Sequence, residues 1–219
     1  MSTGKISAKD VKELRDRTGA GFMDCKKALA ESDGDMDKAV EYLQKKALAT
    51  ADKKASRVAA EGMVGSYIHP GANIGVLLEV NCETDFVARG DDFQAFVKDV
   101  CMHIAAAAPL VVSADELDPE LVAKQRDIFK GQAVESGKPE HIAEKMVEGR
   151  LKKWMREVVL LEQAFVKDPD KSVEELQKGL TGKLGEKISI RRFVRFVVGE
   201  GMEKRQDDFA AEVAAQMGA

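Results

Sequence analysis

Three histidines and three cysteines carry the most reactive side chains of this 219-residue chain, and their spacing argues against joint use. His69, His103 and His141 form no H-x-x-x-H pair, the spacing that sets two imidazoles on one helix face. Cys25, Cys82 and Cys101 include no Cys-x-x-Cys, so a structural zinc clamp is not expected. Their odd number and wide spacing also argue against a disulfide framework and fit a reducing compartment. Cys82 continues the apolar phase of a strand candidate, and Cys25 and Cys101 fall in helix candidates, which predicts buried, inert thiols. His103 adjoins an apolar stripe and reads as a core-edge histidine. The phosphate-binding patterns are incomplete too. GAGFMD lacks the third glycine and the preceding strand of a dinucleotide loop, and GLTGKL lacks the Walker spacing. Arg191, Arg192 and Arg195 alternate with apolar residues, as on a strand with one solvated and one core face. With a net charge of −4 and 5% aromatics, no direct nucleic-acid partner is expected.

The remaining candidate is NCETDFVARGDDF, residues 81–93, where the apolar run IGVLLEV ends. Phe86 keeps the even-numbered phase of Val80 and Cys82. An extended strand would bury it as a last core residue. Asn81, Thr84, Asp85, Gly90 and the Asp91-Asp92 pair instead favour a turn and a helix cap, which would hold the aromatic out for a partner. Pattern alone leaves both readings open.

The elements that would position this segment can be read from periodicity. Ser7 and Asp10 resemble a capping box before VKELRDRT, and the glycines of TGAG break that helix. MDCKKALAES follows, and then DMDKAVEYLQKK, with Met36, Ala39, Val40 and Leu43 on one face. Residues 46–60 are rich in Ala and Lys and read as a helical or flexible linker with a basic face. GMVGSYIH and NIGVLLEVNC are strand-like, with Val76, Leu78, Val80 and Cys82 on one side. DDFQAFVKDVCMHIAAA predicts a helix capped by Asp91 or Asp92 and buried along Phe93, Phe96, Val97, Val100 and Ile104. Further helices are expected near Pro119, near Pro139 (with Ala143, Val147, Leu151 and Trp154 inward) and at SVEELQKGL. KISIRRFVRFVVGEG is the longest strand candidate, and DDFAAEVAAQMGA an amphipathic end helix with Phe209, Val213 and Met217 on one side.

The expectation is an α+β chain. It has a three-helix N-terminal module of the ubiquitin-associated type (1–46), a linker (47–60), an α+β core with a three-stranded antiparallel sheet and packed helices (61–204), and a C-terminal helix (205–219). Hydrophobic residues make up 44% and charged residues 33%, enough for a sizeable core. No secretory signal is visible in MSTGKISAKDVKEL and no apolar run has membrane-spanning length, so a soluble cytoplasmic protein without a membrane partner is expected.

NCETDFVARGDDF and TGAGFMDCKKALAESDGDMDKAVEYLQKK, with SGKPEHIAEKMVEGRLKKW and DDFAAEVAAQ, resemble bacterial elongation factor Ts over nearly the whole chain. The resemblance implies guanine-nucleotide exchange on elongation factor Tu, with no covalent chemistry and no cofactor. It also implies that Thr84, Asp85, Phe86 and Val87 enter the partner's GTPase domain, where Asp85 and Phe86 displace helices that support magnesium and phosphate. Further contacts carried over are Leu14, Arg15, Phe22 and Met23 in the helical module, Leu184 and Gly185 in GKLGEKISIRR, and His69 in GSYIHPGANIG, where Pro70 departs from the family pattern. Leu14 and Phe22 also read as module core. Longer relatives hold two cores and this chain one, so the resemblance is to the short form, and a homodimer through exposed strand edges is expected. Two other classes compete. A ubiquitin-associated-type adaptor binding a ubiquitin-like surface through Gly21-Phe22 leaves TDFVAR without a role, and a cysteine-dependent enzyme would need Cys82 reactive beside a histidine.

Overall fold

The computed structural model describes residues 6–135 and 139–203. Helix α1 (Ala8–Thr18) opens on a reciprocal cap: Ser7 Oγ accepts the Asp10 N–H at 3.2 Å, and the Asp10 carboxylate accepts the Ser7 N–H at 3.1 Å. It stops at Gly19, whose φ of +67° other residues adopt only with strain. Helix α2 (Phe22–Glu31) and helix α3 (Met36–Lys54) complete the module, and Val11, Leu14, Cys25, Ala28, Leu29, Ala39 and Leu43 close its core. The stretch expected as a helical or flexible linker is helix as far as Lys54. Ala and Lys sustain a helix, and Ala47 meets another helix: a Cβ on Gly182 would lie 2.5 Å from that of Ala47.

Strands β1 (Glu61–Ile68) and β2 (Ile74–Cys82) form an antiparallel hairpin, and strand β5 (Ser189–Val197) pairs antiparallel with β2, giving the order β1-β2-β5. The inward residues of β2 are Val76, Leu78, Val80 and Cys82, as the alternation predicts. They pack on Phe93, Phe96, Val97, Val100, Cys101 and Ile104 of helix α5 (Asp91–Ala107). The cap of α5 differs from expectation. Gly90 occupies it without a side-chain bond, and Asp91 and Asp92 lie in the first turn, where their charge favours the helix dipole. Helices α6 (Pro119–Glu135) and α7 (Glu140–Val158) pair through Arg126 with Glu148 and Arg150 with Gln132. A two-stranded piece, β3 (Ala164–Phe165) and β4 (Asp168–Ser172), was not expected from the sequence. Ser172 then caps helix α8 (Val173–Leu184) with Glu175, and α8 leads into β5. The expected end helix, with Phe209, Val213 and Met217, lies outside the described residues.

The arginines of β5 bond within the molecule. A bulge at Glu79/Val80 lets Arg191 and Arg192 both reach Glu79, each at 2.7 Å, and they hold its carboxyl below the usual range. Arg195 donates to the Ala105 carbonyl.

His103 is fully buried. Its Nδ1 accepts the Val166 N–H at 3.3 Å, so the proton sits on Nε2 and is donated to Gln163 Oε1 at 2.8 Å. Burial pushes its pKa below the ordinary value, against the opposing Gln163 bond. The unfolded chain therefore binds the proton first, and the stability present above about pH 6.5 declines as pH falls below it. Urea unfolding at about pH 7 and about pH 5.5 should show a larger loss for wild type than for His103→Gln. Equal losses would assign the dependence to other groups.

Candidate functional site

The loop after β2 turns at Glu83 and Thr84 into a single helical turn, α4 (Asp85–Ala88). Thr84 is its N-cap, in extended conformation, with its hydroxyl accepting the Val87 N–H at 3.4 Å. The change from strand to helix ends the even-numbered phase at Cys82. Helical spacing turns Val87 and Ala88 toward the core and Phe86 outward. Phe86 is 83% exposed. Such exposure forgoes about 1.5–3 kcal/mol of burial. Asp85 pairs with Arg89 at 2.8 Å on the same exposed turn, a contact worth little in open solvent.

This turn is tied to a distant part of the chain. The Glu186 carboxylate accepts the Glu83 N–H at 3.2 Å, the Thr84 N–H at 3.0 Å and the Thr84 hydroxyl at 2.7 Å. Glu83 in turn accepts the Lys187 N–H at 2.7 Å and pairs with Arg57 at 3.1 Å. Sequence reasoning passed over Arg57, Glu83 and Glu186. Glu186 and Lys187 lie more than a hundred positions from the residues they bond, and Arg57 lies 26 from Glu83, so these contacts leave no local pattern.

The other expected residues divide into two groups. Gly185 ends α8 at φ +71°, which places Glu186 beside the turn, and Leu184 packs against the sheet core. The corner Gly19–Gly21 lies near this end as well. A Cβ on Gly19 would meet the Lys183 side chain at 2.8 Å, and Lys183 Nζ reaches Asp92 at 2.6 Å. Arg15, Phe22 and Met23 are exposed around that corner, Met23 to 71%. Leu14 has no exposed surface and belongs to the module core. His69 lies elsewhere. It sits on the β1–β2 turn beside the Ile68–Gly75 pair, with Tyr67 Oη 3.0 Å from its Nδ1, whereas the Asp85 turn follows the opposite end at Glu61–Cys82. Seven residue steps along β2 separate the two ends, about 23 Å.

The cysteines are poor reagents. All three are buried, and burial pushes the Cys101 thiol up to about 11. Among the described residues no cluster of His, Cys, Asp and Glu could hold a metal ion, and no helix is long and apolar enough to cross a membrane. What this edge of the molecule offers is a projecting aromatic beside an acid, a second exposed apolar corner, and a bonded frame between them.

The sequence profile of the Elongation factor TS family matches residues 27–200, which include the Asp85 turn and its Glu186 anchor. The chain belongs to this family. Elongation factor Ts of Desulforamulus reducens is 60% identical over 97% of this chain and 98% of its own length. Elongation factor Ts of Geobacter sulfurreducens is 59% identical over 97% of the chain and 99% of its own length. Elongation factor Ts of Heliobacterium modesticaldum is 58% identical, again over 97% and 99%. Membership in the elongation factor Ts family makes this a factor of protein synthesis, at translation elongation.

Proposed function

We propose that this chain is a cytoplasmic guanine-nucleotide exchange factor for elongation factor Tu. It works without covalent chemistry, and needs no cofactor, nucleic acid or membrane. Asp85 and Phe86 enter the partner's GTPase domain, and Thr84 and Val87 hold the turn that carries them. The observation that supports this reading best is Phe86 itself, 83% exposed on a turn whose Val87 and Ala88 pack against the core. Burying it between helices of the partner moves groups that support magnesium, an ion demanding near-ideal octahedral geometry, so small shifts weaken the nucleotide. Phe22 and Met23 beside Arg15 supply further contact, as do Leu184 and Gly185 at the end of α8. Leu14 contributes by holding α1 in place, and His69 contacts a separate region of the partner.

Linkage makes the effect reciprocal: a factor that lowers nucleotide affinity has its own affinity lowered by nucleotide by the same ratio. Titration of the chain into nucleotide-free elongation factor Tu should therefore give tighter binding than titration into the GDP-bound form. Equal affinities would remove the exchange reading.

The same reading includes a homodimer. The outer face of the sheet carries Val64 and Ile68 on β1, Leu77 on β2, and Val194 and Phe196 on β5, all exposed. Register places Leu77 beside Val194, and Gly75 between Ile68 and Phe196, on the same face of the sheet. Two such faces stacked about a twofold axis would form an isologous interface, an alternative to pairing through the exposed strand edges. Light scattering is expected to give the mass of two chains, and a one-chain mass at working concentration would contradict it.

A further inference from the structure

We infer that Glu186, with Glu83 as its counterpart, is the positioning residue that presents Phe86, an inference resting on the exchange reading above. The two glutamates form a crossed clasp. Glu186 grips the amides of Glu83 and Thr84, and Glu83 grips the amide of Lys187. Arg57, just beyond α3, joins both sides. Its guanidinium pairs with Glu83, and its carbonyl accepts from Lys187 Nζ at 2.9 Å.

Among the described residues no cation pairs with Glu186. Its carboxylate is satisfied by two backbone amides and one hydroxyl, all from the two residues that begin the turn. Charge-assisted bonds of this kind are stronger than neutral ones. They act at the leading side of the turn, where Thr84, Asp85 and Phe86 are all exposed. The Thr84 hydroxyl donates to Glu186 and accepts from Val87, so one side chain links the clasp to the first turn of α4. Cys82 adds a weaker tie, its Sγ donating to the Thr84 carbonyl at 3.1 Å. The turn that carries Phe86 is therefore anchored at its start by a residue from the far end of the sequence, while Val87 and Ala88 seat its other side on the core. A turn ordered beforehand loses less freedom when it inserts, and more of the contact energy is left to displace the partner's groups.

The test uses the full chain and elongation factor Tu loaded with a fluorescent GDP analogue. Glu186→Ala is expected to lower the maximal release rate at saturating chain roughly tenfold, equivalent to about 1.4 kcal/mol. Glu186→Gln, which keeps one acceptor oxygen, should recover part of the loss. In a Phe86→Ala background Glu186→Ala should have no further effect, because a positioning residue acts only through what it positions. In the free protein, amide exchange at Glu83 and Thr84 should quicken in Glu186→Ala while Val76 and Leu78 stay protected. Full activity of Glu186→Ala beside an impaired Phe86→Ala would overturn the clasp and leave the exchange reading standing. An equal loss from Glu186→Ala in both backgrounds would also overturn it. If wild type itself fails to speed release, the exchange reading fails. Unchanged amide exchange at Glu83 and Thr84 would then refute the clasp independently.

Discussion

Phe86→Ala is expected to slow GDP release from elongation factor Tu by up to about a hundredfold at saturating chain. The bound comes from the side chain itself. Fully burying a phenylalanine gains about 1.5–3 kcal/mol, and each factor of ten in nucleotide release needs about 1.4 kcal/mol of coupling. Because Phe86 is 83% exposed in the free chain, truncating it removes almost nothing from the core. Stability should therefore change by no more than about 0.5 kcal/mol, as at other surface positions away from special features. Stopped-flow release and urea unfolding on one preparation separate the two effects. A variant that released GDP at the wild-type rate would return Phe86 to the rim of the interface.

Seven positions along, the same residue type should behave in the opposite way. Phe93 is fully buried, in the core formed by β2 and α5. Phe93→Ala is expected to cost about 3–5 kcal/mol of folding stability, because it forfeits burial and leaves a cavity that packed neighbours fill only in part. That is a large share of the ~5–15 kcal/mol typical of a domain. Under conditions where the variant stays folded, its release rate should remain near wild type. A loss under about 1 kcal/mol in urea unfolding would show that α5 is not seated on the sheet as described.

These two phenylalanines also mark how far the sequence can be read. Phe93 belongs to a stripe with Phe96, Val97, Val100 and Ile104, and the helical period alone predicts its burial. The alternation of Val76, Leu78, Val80 and Cys82 was equally plain, since β2 buries one face and strand side chains alternate. Phe86 was ambiguous because its phase matched that strand. The period changes at Thr84, whose hydroxyl caps the turn and also donates to Glu186, a partner that the local sequence does not reveal. An aspartate cap was expected where Gly90 stands because Asp91 and Asp92, the first two residues of the helix, serve its dipole instead. The β3–β4 piece went unseen because it is short and Pro169 lies within it, a residue that argues against a strand. The run of α3 beyond the module core was only half legible. Its large apolar residues thin out to Leu48, and the approach of Ala47 to Gly182 and the Asp52–Lys178 pair show that α8 covers its continuing face.

In the proposed exchange, an exposed aromatic on an anchored turn drives nucleotide out of a GTPase. Its most direct test is the release of a fluorescent GDP analogue from purified elongation factor Tu, followed in time with and without the wild-type chain. Release is expected to accelerate with added chain and to saturate. Release that stays at its spontaneous rate with a folded chain in excess would contradict it.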